Sequence, residues 1–287
     1  MIQPLLLPFL FLALSETVKA APPVIYGEDN RIDTVESKNA FHMKLAASTA
    51  AHVLRSDIQI VNGKATFSDR VLNDFMTEAY GMHLCDDERY KNQVIFSNFS
   101  GFLVAPDIIV TAGHCFQRNE CTTYDWVFNY KIAKAGDLEV TVDENDVYHC
   151  QEVVKQQLGG GKDFAVIRLD RAVKGIAPLK VAAKSPSLDT PLVMIGHPSG
   201  LPQKIADGAT VKEILEFGFK ANVDAFGGNS GSAVFNEKTG EVVGILVNGA
   251  NDYSLDSRSR CIRAAKLSQE DAKEGISGVE QFAPFLK

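Results

Sequence analysis

Several things missing from this 287-residue sequence narrow its chemistry before any motif is read. Positive charge is not in excess: 29 Lys and Arg stand against 36 Asp and Glu, a formal net charge of −7, with no basic stripe. Nucleic acid and anionic membrane surfaces are therefore poor partners. No Cys-x-x-Cys pair and no His-x-x-x-His spacing occurs, so neither a metal nor any other cofactor is expected. After residue 20 no apolar run is long enough to hold the chain in a bilayer, and no membrane anchor is expected. Internal repeats and low-complexity linkers are absent. Finally, none of the six histidines comes after His197.

The N-terminal stretch "MIQPLLLPFLFLALSETVKA" carries an apolar run from Leu5 to Leu14 and ends in Val18-Lys19-Ala20. Small residues stand at the two positions a signal peptidase reads, so residues 1–20 are read as a secretion signal. The mature chain is then expected to start near Ala21 and to be secreted or periplasmic. Export implies an oxidising compartment, so the five cysteines are first of all disulfide formers. Cys115 and Cys121 are close enough in sequence to close a small loop, whereas Cys85, Cys150 and Cys261 are scattered. An odd count leaves at least one unpaired or bonded to another chain.

Residues 41–54 and 68–80 have helical character, rich in good helix formers. From about residue 94 the texture changes to short Val-, Ile- and Phe-rich runs: "QVIF", "GFLVA", "DIIVTA", "DWVFNY", "LEVTV", "FAVIRL", "LVMIG", "AVF" and "EVVGILV". Gly, Pro, Asn and Asp clusters separate them. That pattern predicts an all-β sandwich or barrel rather than alternating βα units. The polar tail from about 265 has a helical flavour in "SQEDAKEG".

The run "VDAFGGNSGSAVF" (223–235) is either a tight turn or the seat of a nucleophilic serine. A serine hydroxyl needs a base to take its proton. Every histidine precedes Ser230, which excludes the α/β-hydrolases, whose histidine follows the nucleophile. His114 is the best base, because the apolar strand "DIIVTA" runs straight into Gly-His. Asp163, at the start of "DFAVIRL", is the best carboxylate to accept its Nδ1–H, fix the tautomer and stabilise the imidazolium. Ser232 is a weaker rival for the nucleophile.

Taken in order, "TAGHC", "DFAVIRL" and "GGNSGSAV" resemble the His, Asp and Ser boxes of the trypsin/chymotrypsin-like serine proteases. The compact interval from Asp163 to Ser230, with "SGFLVAPDIIVTAGHC" and "GNSGSAVF", looks like the bacterial glutamyl-endopeptidase branch. The resemblance covers about residues 94–250, with "VIYGEDNRID" similar to the start of such mature enzymes. It implies an all-β fold: two six-stranded antiparallel barrels with the active site in the cleft between them, plus short helical terminal segments. An N-terminal extension and the first barrel would occupy 21–175, the second barrel 176–265 and a tail 266–287. The implied activity is that of a monomeric serine endopeptidase acting on polypeptide substrates, with His114, Asp163 and Ser230 as catalytic residues. The N–H groups of Gly228 and Ser230 would form the oxyanion hole, where losing one donor costs roughly 3–4 kcal/mol of transition-state stabilisation. The main chain around Val247, Asn248 and Gly249 would pair with extended substrate.

The sequence also departs from that pattern. Asn229 stands where digestive relatives carry the aspartate that pairs with a newly cut amine, which predicts activation without that ion pair. Asp224, six residues before Ser230, matches the acidic pocket floor that selects Lys or Arg. Leu246 replaces the histidine of glutamyl endopeptidases, arguing against a preference for Glu. Val247 lacks the hydroxyl that many relatives offer to the catalytic aspartate. The alternatives are a catalytically silent homologue acting as a binding protein and an esterase using the same three residues.

Overall fold

The computed structural model describes residues 25–67, 69–116, 120–249, 251–271 and 274–286, so the expected signal segment and its cleavage site lie outside the described residues. The first barrel is closed by β1 (Thr49–Leu54), β2 (Ser97–Ala105), β3 (Ile108–Thr111), β4 (Tyr124–Phe128), β5 (Val147–Gly159) and β6 (Lys162–Leu169). Their hydrogen-bonded order is β5-β6-β3-β2-β1-β4, returning to β5. The second barrel comprises β7 (Pro191–Gly196), β8 (Lys204–Leu215), β9 (Gly218–Ala221), β10 (Ala233–Asn236), β11 (Val242–Asn248) and β12 (Glu274–Gly278). It runs β7-β10-β11-β12-β9-β8 and closes through β7 on β8, with Arg31–Asp33 added outside β8. The expected pair of six-stranded antiparallel barrels is the observed fold.

One apolar seam joins the barrels. Phe102, Val110 and Phe164 from the first pack with Val193, Ile195, Ala233, Phe235 and Ile245 from the second, and Val279 and Phe282 complete the cluster. Burying each such side chain is worth about 1.5–3 kcal/mol, so the seam holds the two barrels at a fixed separation.

The structure departs from the sequence reading in several places. Of the helical stretch 41–54, only Ala40–Ala46 is helix (α1), its first N–H groups capped by Asn39 Oδ1; residues 49–54 form β1. Propensity is overridden there by ladders on both sides, to β2 and β4. The second stretch does form a helix, α2 (Leu72–Tyr80), ended by Gly81 in the left-handed conformation. "QVIF" makes only an isolated bridge from Val94 to Val71, while the long polar strands β5 and β8 had no apolar run to announce them. Among the described residues the tail contributes β12, which sits between β9 and β11, followed by two short 3-10 turns, and no helix.

The small Cys115–Cys121 loop does not form. Cys121 is bonded to Cys150 and Cys85 to Cys261, while Cys115 is a free thiol buried in the inter-barrel seam. Burial there pushes the Cys115 pKa up.

Inside the first barrel His52 stacks on Tyr124, ring centroids 4.6 Å apart, and touches Trp126. Among the described residues neither of its ring nitrogens has a polar partner, and burial pushes its pKa down to about 3. An unfolded histidine takes up a proton near pH 6.5 and this one does not until about pH 3. The stability its neutral form provides is therefore complete above about pH 6.5 and is lost as pH falls toward 3. Between pH 7 and pH 5 the urea midpoint of the wild type should fall relative to that of His52→Phe. A difference that stays constant with pH contradicts a buried neutral ring.

Candidate active site

Local backbone chemistry places His114. Strand β3 ends at Thr111, and a 3-10 turn, Gly113–Cys115, carries the histidine against the β5–β6 hairpin. A Cβ at Gly113 would lie 2.3 Å from the Gln157 carbonyl oxygen and 2.9 Å from the Phe164 nitrogen, so only glycine permits this approach. Gln156 Nε2 donates to the Gly113 carbonyl at 2.6 Å and also to that of Phe116, locking the turn.

The same hairpin presents Asp163 on β6, and its carboxylate grips His114 at two points. Oδ1 accepts the His114 backbone N–H at 2.9 Å, and Oδ2 lies 2.8 Å from Nδ1. A carboxylate can only accept, which makes Nδ1 the protonated nitrogen and leaves the Nε2 lone pair as a base. Among the described residues no hydroxyl replaces the one missing at Val247 on the carboxylate, and Ser277 Oγ on β12 donates instead to the Asp163 carbonyl at 3.0 Å.

Ser230 lies in the loop before β10. Asn229 N–H donates to the Phe226 carbonyl at 2.9 Å and Ser232 N–H to the Asn229 carbonyl at 2.8 Å, forming two consecutive tight turns. Fully buried Ser100 on β2 stitches this loop to the first barrel. Its N–H donates to the Ser230 carbonyl (2.9 Å), and its hydroxyl donates to that of Gly228 (2.9 Å) and accepts the His197 N–H (3.0 Å). Phe99, the neighbour of Ser100, sets its ring edge-on to the His114 ring, centroids 6.1 Å apart. Among the described residues the N–H groups of Gly228 and Ser230 donate to no protein acceptor. Gly228 has φ +90°, and a Cβ on it would meet the His197 carbonyl at 2.6 Å, so its glycine is required by the turn behind it. Ser232, the rival nucleophile, is fully buried and its hydroxyl donates to Asn229 Oδ1.

A cavity of about 320 Å³ opens beside Ser230, lined by Ala225–Gly227, Asn248, Gly249, Asp252 and Glu274 among others. Asp224 is not in its wall. Its two oxygens accept the N–H groups of Tyr26 and Asn30, each at 2.8 Å, so it anchors the N-terminal segment instead. The acids that line the cavity are Asp252, which accepts the Gly227 N–H at 2.7 Å, and Glu274, which accepts from the Tyr26 hydroxyl at 3.2 Å. Burial pushes Asp252 up to about 6. Asn248 also lines a second cavity of about 440 Å³, shared with Asp163 and Val247, so the end of β11 runs past both halves of the site. Sequence reading missed Ser100, Gly113, Asp252 and Glu274; only the glycine before His114 carried a local signal.

Two closed β-barrels with a carboxylate-clamped histidine on one and a glycine-bracketed serine loop of the other stitched to it define the class of trypsin/chymotrypsin-like serine proteases. The chain belongs to the trypsin-like peptidase family, whose domain model matches residues 99–245. It is thus a serine endopeptidase, a hydrolase whose substrates are polypeptides. Among solved structures it is similar to a Glu endopeptidase, with a TM-score of 0.52 at 17% identity over 92% of this chain and 97% of that one. It is also similar to the Vibrio cholerae VesB protease, at 0.52 and 15% over 92% and 66%, and to the active form of the M. tuberculosis Rv3671c protease, at 0.50 and 14% over 99% and 93%. No curated protein matches the chain in sequence.

Gly113→Ala should lower both stability, by about 1–3 kcal/mol of overpacking strain, and turnover, by pushing His114 away from Asp163. Urea unfolding together with peptide hydrolysis tests this, and a variant as stable and as active as the wild type contradicts the close approach.

Proposed function

We propose that the chain is a secreted serine endopeptidase that works through His114, Asp163 and Ser230 and prefers Arg or Lys on the acyl side of the scissile bond. The observation that carries the catalytic reading is the two-point grip of Asp163 on His114, which leaves one ring nitrogen basic. Ser230 Oγ attacks the scissile carbonyl carbon as its proton passes to His114 Nε2. The oxyanion that forms is stabilised by the N–H groups of Gly228 and Ser230, which have no acceptor among the described residues. The C–N bond then breaks, and Nε2 returns the proton to the leaving amine. Water attacks the resulting ester, gives its proton to Nε2, and Ser230 recovers a proton as the acid departs.

The basic preference rests on Asp252 and Glu274 in the cavity beside Ser230, which replace Asp224 as the acids that face a substrate. Two carboxylates attract a guanidinium or ammonium and repel an acidic side chain. A glutamate preference like that of the similar Glu endopeptidase is therefore disfavoured, in agreement with Leu246. Asn229 carries no charge, and its Oδ1 accepts from Ser232, so activation proceeds without an ion pair there. Export is supported by the N-terminal sequence and by two disulfides among the described residues.

A serine-directed phosphonylating probe should label the wild type and not Ser230→Ala; equal labelling of both overturns the nucleophile. The preference should also depend on pH. Asp252 is protonated below about pH 6, so the kcat/KM ratio of Arg over Phe substrates should fall between pH 7 and pH 5. Asp252→Asn should abolish that dependence, and a ratio indifferent to pH removes Asp252 from the specificity.

A further inference from the structure

We propose that helix α2 builds a subsite for a large apolar side chain on the leaving-group half of the substrate. The inference rests on the serine-endopeptidase reading above. A cavity of about 380 Å³ lies against Gly227 and Gly228, walled by Phe75, Met76 and Tyr80 of α2 and by Ile95 and Phe96. It shares Tyr80, Gly227, Asp252 and Tyr253 with the cavity beside Ser230, but no residue of β11. The acyl half of a peptide lies along the end of β11 with its side chain in the Ser230 cavity. The departing half must therefore cross the Gly227–Gly228 loop on the other side, toward Ser97 and Asn98, which also line the α2 cavity.

The wall is fixed. Leu72, Met76, Leu84 and Ile95 pack with Leu201 and Ile262 of the other half of the molecule, and the Cys85–Cys261 disulfide staples the segment after α2 to the hairpin that carries Tyr253. Hydrogen bonds hold the rest: Leu72 N–H to the Gln93 carbonyl, Ile95 N–H to that of Arg70, and Leu84 N–H to the side-chain Oδ1 of Asn73. A rigid cavity takes up an apolar group without the ordering cost a loose one would carry. Its cation is already engaged, since Arg70 is paired with Glu78 and lies 5.0 Å over the Phe75 ring. Asp57 and Asp252 in the wall repel an acidic side chain, while the Phe75, Met76, Ile95 and Phe96 surfaces give an aromatic or branched aliphatic one the apolar contact that favours it as the occupant. Helix α2 lies outside the residues matched by the family model, so this wall belongs to the part of the chain that precedes the matched domain.

The test uses the wild-type enzyme and internally quenched peptides that differ only in the first two leaving-group residues, carrying Gly, Asp, Leu or Phe there. Burial of a Leu or Phe side chain should raise kcat/KM at least about tenfold over Gly, with Asp lowest. Phe75→Ser and Tyr80→Ala should each shrink the Phe-to-Gly ratio to within about threefold, as expected when the contacting surface is removed. Tyr80 is 57% exposed, so its truncation leaves the core intact, and a ratio taken within each variant is insensitive to the amount of folded enzyme. A flat series, a preference for Gly or Asp, or an unchanged ratio in both variants overturns the subsite. Probe labelling separates the two readings. A wild type that does not label fails the protease proposal, whereas a labelled enzyme with a flat series fails only this one.

Discussion

Ser100 is the residue on which the site depends. It is fully buried on β2, and every polar group it owns is engaged: N–H to the Ser230 carbonyl, hydroxyl to the Gly228 carbonyl and from the His197 N–H, carbonyl from Thr111 Oγ1 at 2.7 Å. Through one side chain and one peptide unit, the serine loop of the second barrel is tied to the strand pair of the first that ends in His114. Orphaning any of these buried groups costs about 1–3 kcal/mol, so the loop has little freedom to move away from the histidine. The apolar seam sets the distance between the barrels; Ser100 sets the register of the loop across it.

Electrostatics around the site divides into structural and chemical duties. Asp163 holds His114 by main chain and ring together, so orientation and tautomer have one cause. Asp224, matched by position to a specificity residue, holds the N-terminal segment through Tyr26 and Asn30. Nearby, the Arg31 guanidinium, paired with Asp29, lies 3.9 Å over the Phe226 ring and braces the serine loop from behind. The acids left facing the cavity are those on the segments after Gly249, whose loop lengths ungapped counting along the sequence could not follow.

What could be read in the chain was what local chemistry encodes. The alternation of Val-, Ile- and Phe-rich runs with turn residues announced strands and therefore barrels, and the order His-Asp-Ser selected one arrangement among serine hydrolases. Residues 49–54 misled because Ala and Leu favour helix until two neighbouring strands offer ladders. Strands β5 and β8 escaped notice because long hairpin arms, half in solvent, keep few apolar residues. The pairing of Cys85 with Cys261, 176 residues apart, leaves no trace in spacing.

The sequence by itself determined the fold class and marked out His114, Asp163 and Ser230 as the residues proposed for acyl transfer, because strand patterning and nucleophile-base-carboxylate order are properties of short segments. Only the tertiary structure decided which acids line the cavity beside Ser230, which cysteines pair, and that a helix ahead of the first barrel's second strand walls the neighbouring cavity. Those outcomes come from contacts between segments far apart in the chain, where burial and hydrogen-bond satisfaction, not local propensity, choose the partner.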